Sequence, residues 1–501
     1  MKNNNSKKRK EKEAPPKAKQ VYNELKTSKA VITTAATVFT FLAALYMTLF
    51  ALGWYAGGID NIFTMTNGIA RFFCYLLLIS ILLFTTIGFM YFFNREMIGT
   101  GKNVALIMLV VAIVFTLCII LSDNISIYVM PFALAAMIIG VIISVRVAIV
   151  VNILLSQMLF LTVALFSPMA EFSMASLSAS IFSNLALGFI MISLIYQNFS
   201  RLKFDLYGLA GGVVVMPFVV LTTFITDGTE YEMLMNMLWI FVSNLISTVI
   251  FMPILPIFES LFNVVTSYKL DELCSTDQKL LKKLKEEAPG TYNHSVVVSN
   301  IAESCAYAIG ENTKLTRCAA LYHDVGKLAS PEYFVENQED GYNPHDDLIP
   351  EVSVKMITQH TKNGYDIIKK YRLPEEIAKV ALEHHGTVPV KYFYVKAQNI
   401  ADEKLDMKNY AYEGPKPTTK ISAIIMIADT VEAATRAGMP ETIEEYGKFV
   451  ENLIKDKRDL GQFDDCPITM KELTTIKETI VKDVPNMYHS RIKYPEVRKR
   501  K

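Results

Sequence analysis

Histidine is scarce in this sequence, and its few copies are placed unevenly. The 501 residues include seven histidines, and none of them lies in the apolar first half of the chain. The cluster in the second half is therefore informative, because imidazole groups gathered in a short stretch are typical of metal ligation. Six of the seven fall between residues 294 and 385, namely His294, His323, His345, His360, His384 and His385.

Cysteine is also scarce, and neither sign of charge dominates. The six cysteines show no CxxC spacing, which argues against a disulfide framework and favours free thiols in a reducing compartment. The net charge of +1 averages two unlike halves. Residues 30–258 are dominated by apolar side chains, whereas residues 265–501 are rich in lysine and glutamate. The sequence therefore predicts a membrane domain followed by a soluble domain.

The apolar half contains runs of about 20 residues, the length that an α-helix needs to cross a bilayer. We predict about eight such spans, and hence a polytopic α-helical membrane domain. Residues 1–29, which precede the first span, are basic and are expected to form a disordered cytoplasmic tail. The predicted spans are 30–53, 70–93, 103–121, 126–145, 147–166, 178–196, 207–225 and 234–258.

Loop charges predict the orientation of these spans, because cytoplasmic loops collect lysine and arginine. With a cytoplasmic N-terminus, the basic residues fall in inner loops and the acidic residues in outer loops, with only Arg71 near an outer boundary. An even number of spans returns the chain to the cytoplasm, so we expect a multi-pass cell-membrane protein with a cytoplasmic soluble domain. The inner loops carry Arg95, Lys102, Arg146, Arg201 and Lys203, and the outer loops carry Asp60, Asp123, Glu171, Asp227, Glu230 and Glu232.

No predicted span has an ionisable side chain near its middle. Charges inside a membrane usually mark ion or proton pathways. Their absence argues against a transporter with a regulatory domain. The sequence predicts no ligand site in this half of the chain.

The second half is predicted to be an all-α domain. Residues 259–290 should form a linker that contains an amphipathic helix at 277–288. Residues 291–490 show apolar side chains at helical spacing, and residues 491–501 form a basic tail. The predicted helices of the soluble domain are 295–309, 314–323, 353–361, 365–371, 375–384 and 419–437.

The stretch 322–327, Tyr-His-Asp-Val-Gly-Lys, carries the strongest chemical signal. Its adjacent histidine and aspartate offer one nitrogen and two oxygens to metal ions, and Lys327 could neutralise phosphate oxygens. The candidate ligands exceed the needs of one ion and suit two, with Asp324 as the natural bridge. They are His294, His323, Asp324, His360, His384, His385 and Asp429.

This donor set indicates a reaction class. Mixed imidazole and carboxylate ligands favour Fe, Mn, Ni or Zn over Mg or Ca. Two such ions about 3.5–4 Å apart can convert a bridging water to hydroxide and clamp a phosphodiester. We therefore expect phosphoester hydrolysis, with Asp324 and Lys327 as the catalytic residues.

Seven segments closely resemble the PgpH-type seven-transmembrane HD-domain cyclic di-AMP phosphodiesterase family. They recur in order after a multispan region, and the resemblance covers residues 30–490. The segments are TYNHS at 291–295, YHDVGK at 322–327, NPHD at 343–346, QH at 359–360, EHHGT at 383–387, GPKP at 414–417 and IADTVEAA at 427–434.

The resemblance implies a cytoplasmic HD domain that hydrolyses cyclic di-AMP to linear pApA with two divalent transition-metal ions, usually iron or manganese. The expected partners are cyclic di-AMP and the lipid bilayer, without a nucleic-acid polymer, and a homodimer is allowed. Lys327, Thr387 and Arg436 are the predicted substrate contacts. By the resemblance, one ion takes His294, His323, Asp324 and Asp429, and the other takes Asp324, His360, His384 and His385.

Two features depart from the family pattern. Family members usually carry a large extracellular domain after the first span, but only residues 54–69 occupy that place here. This difference puts control by an external ligand in doubt and leaves the catalysis unaffected. Asn293 stands where many relatives have a second histidine, and we take His294 as the ligand.

Two alternatives remain open. The domain could hydrolyse another nucleotide, such as cyclic di-GMP or a guanosine polyphosphate. Hydrolases of the HD-GYP type carry Gly-Tyr-Pro soon after their paired histidines, whereas residues 386–389 here are Gly-Thr-Val-Pro. The domain could also be a non-catalytic cyclic-dinucleotide receptor, but a complete ligand set favours an enzyme.

Overall fold

The described part of the chain is helical, with short 3-10 turns and no β-strand. It divides into two compact units, Met1–Thr266 and Ser267–Lys501. An isolated β-bridge joins Pro389 and Ala411. The predicted all-α class is confirmed. The structure, a computed structural model, describes residues 16–64, 66–93, 101–166, 173–196, 201–225, 228–262, 264–338, 342–438 and 440–487.

The described residues of the first unit form nine helices. These are α1 (Pro16–Ala56), α2 (Ile59–Thr64), α3 (Gly68–Phe93), α4 (Gly101–Asn124), α5 (Ala133–Ile142), α6 (Val145–Phe166), α7 (Met174–Tyr196), α8 (Arg201–Ile225) and α9 (Glu230–Phe262). All except α2 and α5 are long and apolar enough to cross a membrane. A multi-pass membrane domain is therefore the architecture of this unit.

Helix α1 begins earlier than the sequence predicts. Residues 16–29, expected in a disordered tail, are helical and continue into the apolar stretch Ala36–Ala56. An existing helix is extended more easily than a new one is nucleated, so the apolar span can carry this polar extension. The rest of that tail, residues 1–15, and the predicted tail at 491–501 lie outside the described residues.

The predicted span 126–145 differs from the others because it contains only the ten-residue α5. Non-helical backbone precedes this helix, and Pro131 explains it, since proline lacks an N–H and disfavours helix in the residue before it. Asp123, at the end of α4, and Val163, near the end of α6, line one cavity and so lie at the same end of the bundle. Helix α6 starts at Val145, which is roughly 27 Å from Val163 along the helix axis and so lies at the other end. The segment between α4 and α6 therefore runs from one end of the bundle to the other, partly as extended chain.

The second unit contains ten helices in its described residues. They are α10 (Ser267–Leu273), α11 (Lys279–Glu287), α12 (Pro289–Ile309), α13 (Thr313–Tyr322), α14 (Pro350–Lys370), α15 (Glu375–Glu383), α16 (Lys391–Gln398), α17 (Lys420–Ala437), α18 (Ile443–Asp459) and α19 (Met470–Met487). Helices α11, α13, α15 and α17 match predicted helices to within about two residues, whereas α12 ends at 309 as predicted but starts at 289 instead of 295.

Two features of this unit differ from the prediction. The predicted helices 353–361 and 365–371 form one continuous helix, α14, because Gly364 lies inside it as a contact residue and does not break it. Helices α10, α16, α18 and α19 were not predicted, and α18 and α19 contribute to the main core. That core joins α12, α17, α18 and α19 through buried apolar side chains such as Ile301, Ile424, Tyr446 and Ile476.

Candidate metal centre

Helix α12 carries His294. The helix has Pro289 at its first position, where a missing N–H is harmless, and it ends at Gly310 with a φ of 74°. Val298 and Ile301 on its inner side are buried in the core. The same side holds His294, which is 5% exposed, inside the domain.

Helix α13 presents the adjacent His323 and Asp324. The Asn312 side chain caps the start of the helix by accepting a hydrogen bond from the Leu315 N–H at 3.0 Å. The helix ends one residue before His323, and the chain turns into the 3-10 segment Val325–Ala329. Both ligand candidates therefore sit at a helix end, and both are buried.

A close backbone contact brings His360 of α14 to this turn. A Cβ atom added to Gly326 would lie 1.8 Å from the His360 carbonyl oxygen and 2.5 Å from the Gly364 nitrogen. Only glycine allows such an approach. The glycine of the sequence motif therefore positions His360 beside Asp324.

Helices α15 and α17 are tied together next to their candidate ligands. The buried Glu383 carboxylate accepts hydrogen bonds from the Thr418 N–H at 3.0 Å and the Ser422 hydroxyl at 2.7 Å, at the start of α17. A carboxylate is favourable at a helix N-terminus. Because Glu383 directly precedes the histidine pair 384–385, this contact fixes the pair relative to Asp429 further along α17.

The candidate ligands converge on Asp324. Its Oδ1 atom lies 3.2 Å from His360 Nε2 and 3.5 Å from His384 Nε2. Its Oδ2 atom lies 3.2 Å from His323 Nε2 and 3.6 Å from His294 Nε2. The donor atoms form two groups that share Asp324, and within each group all donor atoms lie within 4.8 Å of one another. One group is Asp324, His360, His384 and His385, and the other is His294, His323 and Asp324.

Asp429 lies at the edge of both groups. Its Oδ1 atom is 3.0 Å from His294 Nε2, and its Oδ2 atom is 3.7 Å from His385 Nδ1. The structure therefore brings all seven sequence-predicted ligands together. His345 is not among them, because its Nε2 atom pairs with the Tyr333 carbonyl at 2.9 Å.

Three histidines share one tautomer. Each donates from Nδ1 to the carbonyl oxygen three residues earlier, which fixes the ring and leaves the Nε2 lone pair facing Asp324. The pairs are His323 with Ala320 at 2.7 Å, His360 with Ile357 at 2.7 Å and His384 with Ala381 at 2.9 Å.

The buried donor atoms of the site lack partners that they need. The Nε2 atoms of His360 and His384 face each other at 3.2 Å, although this tautomer leaves neither with a proton to donate. His323 Nε2 and Asp324 Oδ1 are buried and have no hydrogen-bond partner among the described residues. Such atoms are costly unless something satisfies them. Divalent transition-metal ions fit this set of imidazole and carboxylate donors.

The acids of the site stay ionised, and one histidine stays protonated in the metal-free protein. Burial raises the pKa of Asp324, but the positive charge of Lys327, whose Nζ lies 2.7 Å from Oδ2, outweighs burial and holds the pKa well below its usual value. Burial lowers the pKa of His294, but its hydrogen bonds with Asp429 and Glu432 raise the pKa to about 9. Burial lowers the pKa of His384 to about 4, so this ring is neutral and ready to bind a cation.

Metal uptake should therefore release a proton from His294. Below pH 9 a metal ion must displace this proton, so the apparent affinity should fall by roughly tenfold per pH unit just below pH 9 and level off above it. Titration calorimetry with Mn²⁺ in buffers of different ionisation enthalpy measures the proton count. Uptake without proton release at pH 7 would contradict this assignment.

Comparisons with known proteins agree with this centre. The family model described as "HD domain" matches residues 291–434, and the one described as "7TM receptor with intracellular HD hydrolase" matches residues 69–266. Cyclic-di-AMP phosphodiesterase PgpH of Listeria monocytogenes is 41% identical over 293 residues, which are 58% of this chain and 41% of that protein. PgpH of Bacillus subtilis is 40% identical over 288 residues, 58% of this chain and 40% of that protein.

A solved structure also matches. The crystal structure of the L. monocytogenes PgpH HD domain in complex with cyclic-di-AMP is 45% identical, with a TM-score of 0.41, and the match covers 43% of this chain and 100% of that one. This chain belongs to the PgpH-type family. It spans about two fifths of the length of the two curated PgpH proteins.

Within this family member, Lys327 is held by acids of the site. Its Nζ atom lies 2.7 Å from Asp324 Oδ2 and 2.7 Å from Glu336 Oε1, and its side chain is 12% exposed. The ammonium group lies 4.9 Å from the centre of the Phe334 ring. Lysine has three N–H donors, so two carboxylates leave one donor for a phosphate oxygen.

The other two predicted substrate contacts also have protein partners. The Thr387 N–H donates to Gln462 Oε1 at 2.9 Å, and the Gln462 Nε2 donates to the Thr387 hydroxyl at 3.0 Å. Arg436 pairs with Glu432, and its side chain remains 45% exposed. Arg436 therefore keeps part of its guanidinium group exposed beside Glu432, whereas Thr387 is paired with Gln462 in the turn after the histidine pair.

Sequence reasoning missed three residues of the centre. Glu432 accepts a hydrogen bond from His294 Nδ1 at 2.5 Å, Tyr412 stacks on His385 with ring centres 4.3 Å apart, and Gln462 binds the turn at Thr387. Only Glu432 left a sequence signal, because it follows Asp429 by three residues and so shares its helix face. Tyr412 and Gln462 come from distant segments.

Replacing Glu432 with glutamine should weaken metal binding by about 10- to 100-fold, the range typical for partners of ligating histidines. The amide keeps the shape but removes the charge that orients the His294 ring and stabilises its Nδ1 proton. Metal content after dialysis against a weak chelator measures the loss. Glu444→Gln, on the exposed side of α18, is the matched control, and equal losses in both variants would sink the assignment.

Proposed function

We propose that this protein is a membrane-anchored, metal-dependent phosphodiesterase that hydrolyses cyclic di-AMP to linear pApA. The observation that carries the proposal is the convergence of five imidazoles in two groups that share the Asp324 carboxylate, with the Asp429 carboxylate at their edge. The substrate rests on the printed names of the relatives, cyclic-di-AMP phosphodiesterases that are 40–41% identical over 58% of this chain.

The seven residues would hold two divalent ions in the arrangement that the resemblance implies. When bound, the ions would supply charge neutralisation at the phosphodiester and a water activated as a nucleophile. The chain's own residues do the remaining work. The shared Asp324 keeps the two sites together, and His323, His360 and His384 keep their rings fixed through carbonyl contacts.

Basic side chains would orient the nucleotide phosphates. Lys327 keeps one N–H donor beyond its contacts with Asp324 and Glu336, next to the shared carboxylate. Arg436 is half exposed and anchored on Glu432. A guanidinium group can bind a phosphate through two parallel hydrogen bonds, so Arg436 is suited to a phosphate that does not react.

We also propose that the N-terminus and the HD domain are cytoplasmic. Seven membrane-length helices and the crossing that contains α5 give an even number of passages. The basic residues Arg95, Lys102 and Arg146 then share one side of the membrane with Arg201 and Lys203. This distribution is the one that the positive-inside rule favours.

The test is a paired hydrolysis assay on the purified full chain. The protein is stripped of metal, reloaded with Mn²⁺ or Fe²⁺, and offered cyclic di-AMP and cyclic di-GMP separately, with products identified by chromatography. We expect pApA from cyclic di-AMP in the metal-loaded protein and no turnover after chelation. Preference for cyclic di-GMP would overturn the substrate, and full activity without metal would overturn the mechanism.

A further inference from the structure

A polar cavity lies at one end of the membrane unit. Its volume is about 510 Å³, and it is lined by the last turns of α1, α4, α6 and α8 and by the first two turns of α7 and α9. Glu232 lies near the start of α9, whereas Phe262 at the other end of this helix is roughly 45 Å away. The cavity is therefore at the end of the unit opposite to the point where the chain leaves it.

Irregular backbone forms one wall of this cavity. Residues 125–128 are non-helical and line it, just before the short helix α5. Non-helical chain at membrane depth is tolerated only where protein buries it or where it borders a water-filled cavity.

Helix α7 holds this irregular wall in place. The Ser180 hydroxyl donates to the Ile127 carbonyl at 2.5 Å, and the Asn184 amide donates to the Tyr128 carbonyl at 3.3 Å. Ser243 of α9 supports Asn184 through a hydrogen bond of 2.7 Å, in a buried position. The wall is therefore built by specific polar contacts, which makes a fixed shape for a ligand.

The charge of the cavity has one sign. Asp123 and Glu232 line it, and the lining residues that the structure describes include no lysine, arginine or histidine. A confined site lined by one sign of charge concentrates solutes of the opposite sign.

The size and lining select an organic cation over a metal ion. The volume falls in the range of small-molecule pockets, and Tyr55 and Tyr128 line the same space. Aromatic faces attract ammonium groups. In the described residues, the groups of three or more histidine, cysteine or acidic side chains close enough to hold an ion lie in the HD domain.

We propose that this cavity binds a small organic ammonium compound. The acids Asp123 and Glu232 neutralise its charge, the tyrosine rings contact its alkyl or ammonium faces, and hydroxyl groups such as Ser126 and Ser176 hydrogen-bond to it. This site is separate from the metal centre, and its test does not depend on hydrolysis. It places a ligand site in a membrane half for which the sequence alone predicted none.

Trp54 supplies a reporter for binding. Its Nε1 donates to Asp123 Oδ2 at 3.0 Å, and the chain contains only one other tryptophan, Trp239. In a Trp239→Phe background, the fluorescence of the full chain in lipid nanodiscs reports on the neighbourhood of Asp123. The probe is putrescine, with 1,4-butanediol as the neutral analogue and succinate as the anionic analogue, at constant ionic strength.

We expect a saturable change in Trp54 emission with putrescine and none with butanediol or succinate. Glu232→Gln, which leaves the Trp54–Asp123 pair intact, should weaken the response at least tenfold. Asp60→Asn, an acidic residue exposed in α2 outside the cavity lining, should not change it. Thermal stabilisation of the tryptophan-intact chain by putrescine gives a second readout, which Glu232→Gln should also remove.

Several outcomes would overturn the proposal. One is an equal response to putrescine and to butanediol, and another is an unchanged affinity for putrescine in Glu232→Gln. A third is that Asp60→Asn weakens binding as much as Glu232→Gln does, which would indicate a diffuse surface charge. No response to putrescine by either readout, up to millimolar concentration, would also overturn it. None of these outcomes bears on the phosphodiesterase activity, so the two proposals fail separately.

Discussion

Replacing Asp324 with asparagine should lower kcat for cyclic di-AMP by at least about 10³-fold, or about 4 kcal/mol of transition-state stabilisation. The two carboxylate oxygens of Asp324 face four histidine Nε2 atoms at 3.2–3.6 Å. An amide keeps the volume but offers one oxygen and no charge. Both candidate ion sites would then lose the carboxylate that they share.

The measurement combines steady-state hydrolysis with metal analysis of the same sample. Asp324→Asn should hold fewer metal ions per chain than the wild type, as well as being inactive. Asp366→Asn is the matched control, because Asp366 is exposed on α14, the helix that also carries His360. Activity of Asp324→Asn within tenfold of the wild type would show that no shared carboxylate is needed.

The sequence predicted the residues of the centre better than their contacts. Each predicted ligand is adjacent to a helix end or part of a helix with strong apolar spacing, so its approximate placement follows from local pattern. Tyr412 and Gln462 lack such a pattern, because their partners His385 and Thr387 come from distant segments. Contacts of this kind depend on tertiary packing, and they leave no periodic pattern of residues in a single sequence.

The same reasoning explains the two errors of helix length. Pro131 prevents helix at the start of the predicted span, so α5 begins only at Ala133. Mean hydropathy over a whole span does not detect such a short break. The predicted break between helices 353–361 and 365–371 contains Gly364, and glycine disfavours helices. In the structure Gly326 packs directly against the backbone of α14 at His360 and Gly364, so a tertiary contact outweighs local propensity.

This contact supports a last prediction, that Gly326→Ala should unfold the second unit more easily and empty its metal centre. The added methyl group would meet the His360 carbonyl oxygen at 1.8 Å and the Gly364 nitrogen at 2.5 Å. Backbone atoms of a helix cannot rotate away as a flexible side chain can. The turn and α14 must therefore separate, at a cost of about 3 kcal/mol or more.

Separation would also move His360 away from Asp324, so metal retention should fall together with stability. Thermal unfolding of the metal-stripped full chain measures the first effect, and metal content after reloading measures the second. Gly438→Ala is the control, since no atom lies within 4 Å of a Cβ added there, and its change should stay within about 0.5 kcal/mol. If Gly326→Ala behaved like this control, the close approach of the two glycines would not be what holds His360 against the shared carboxylate.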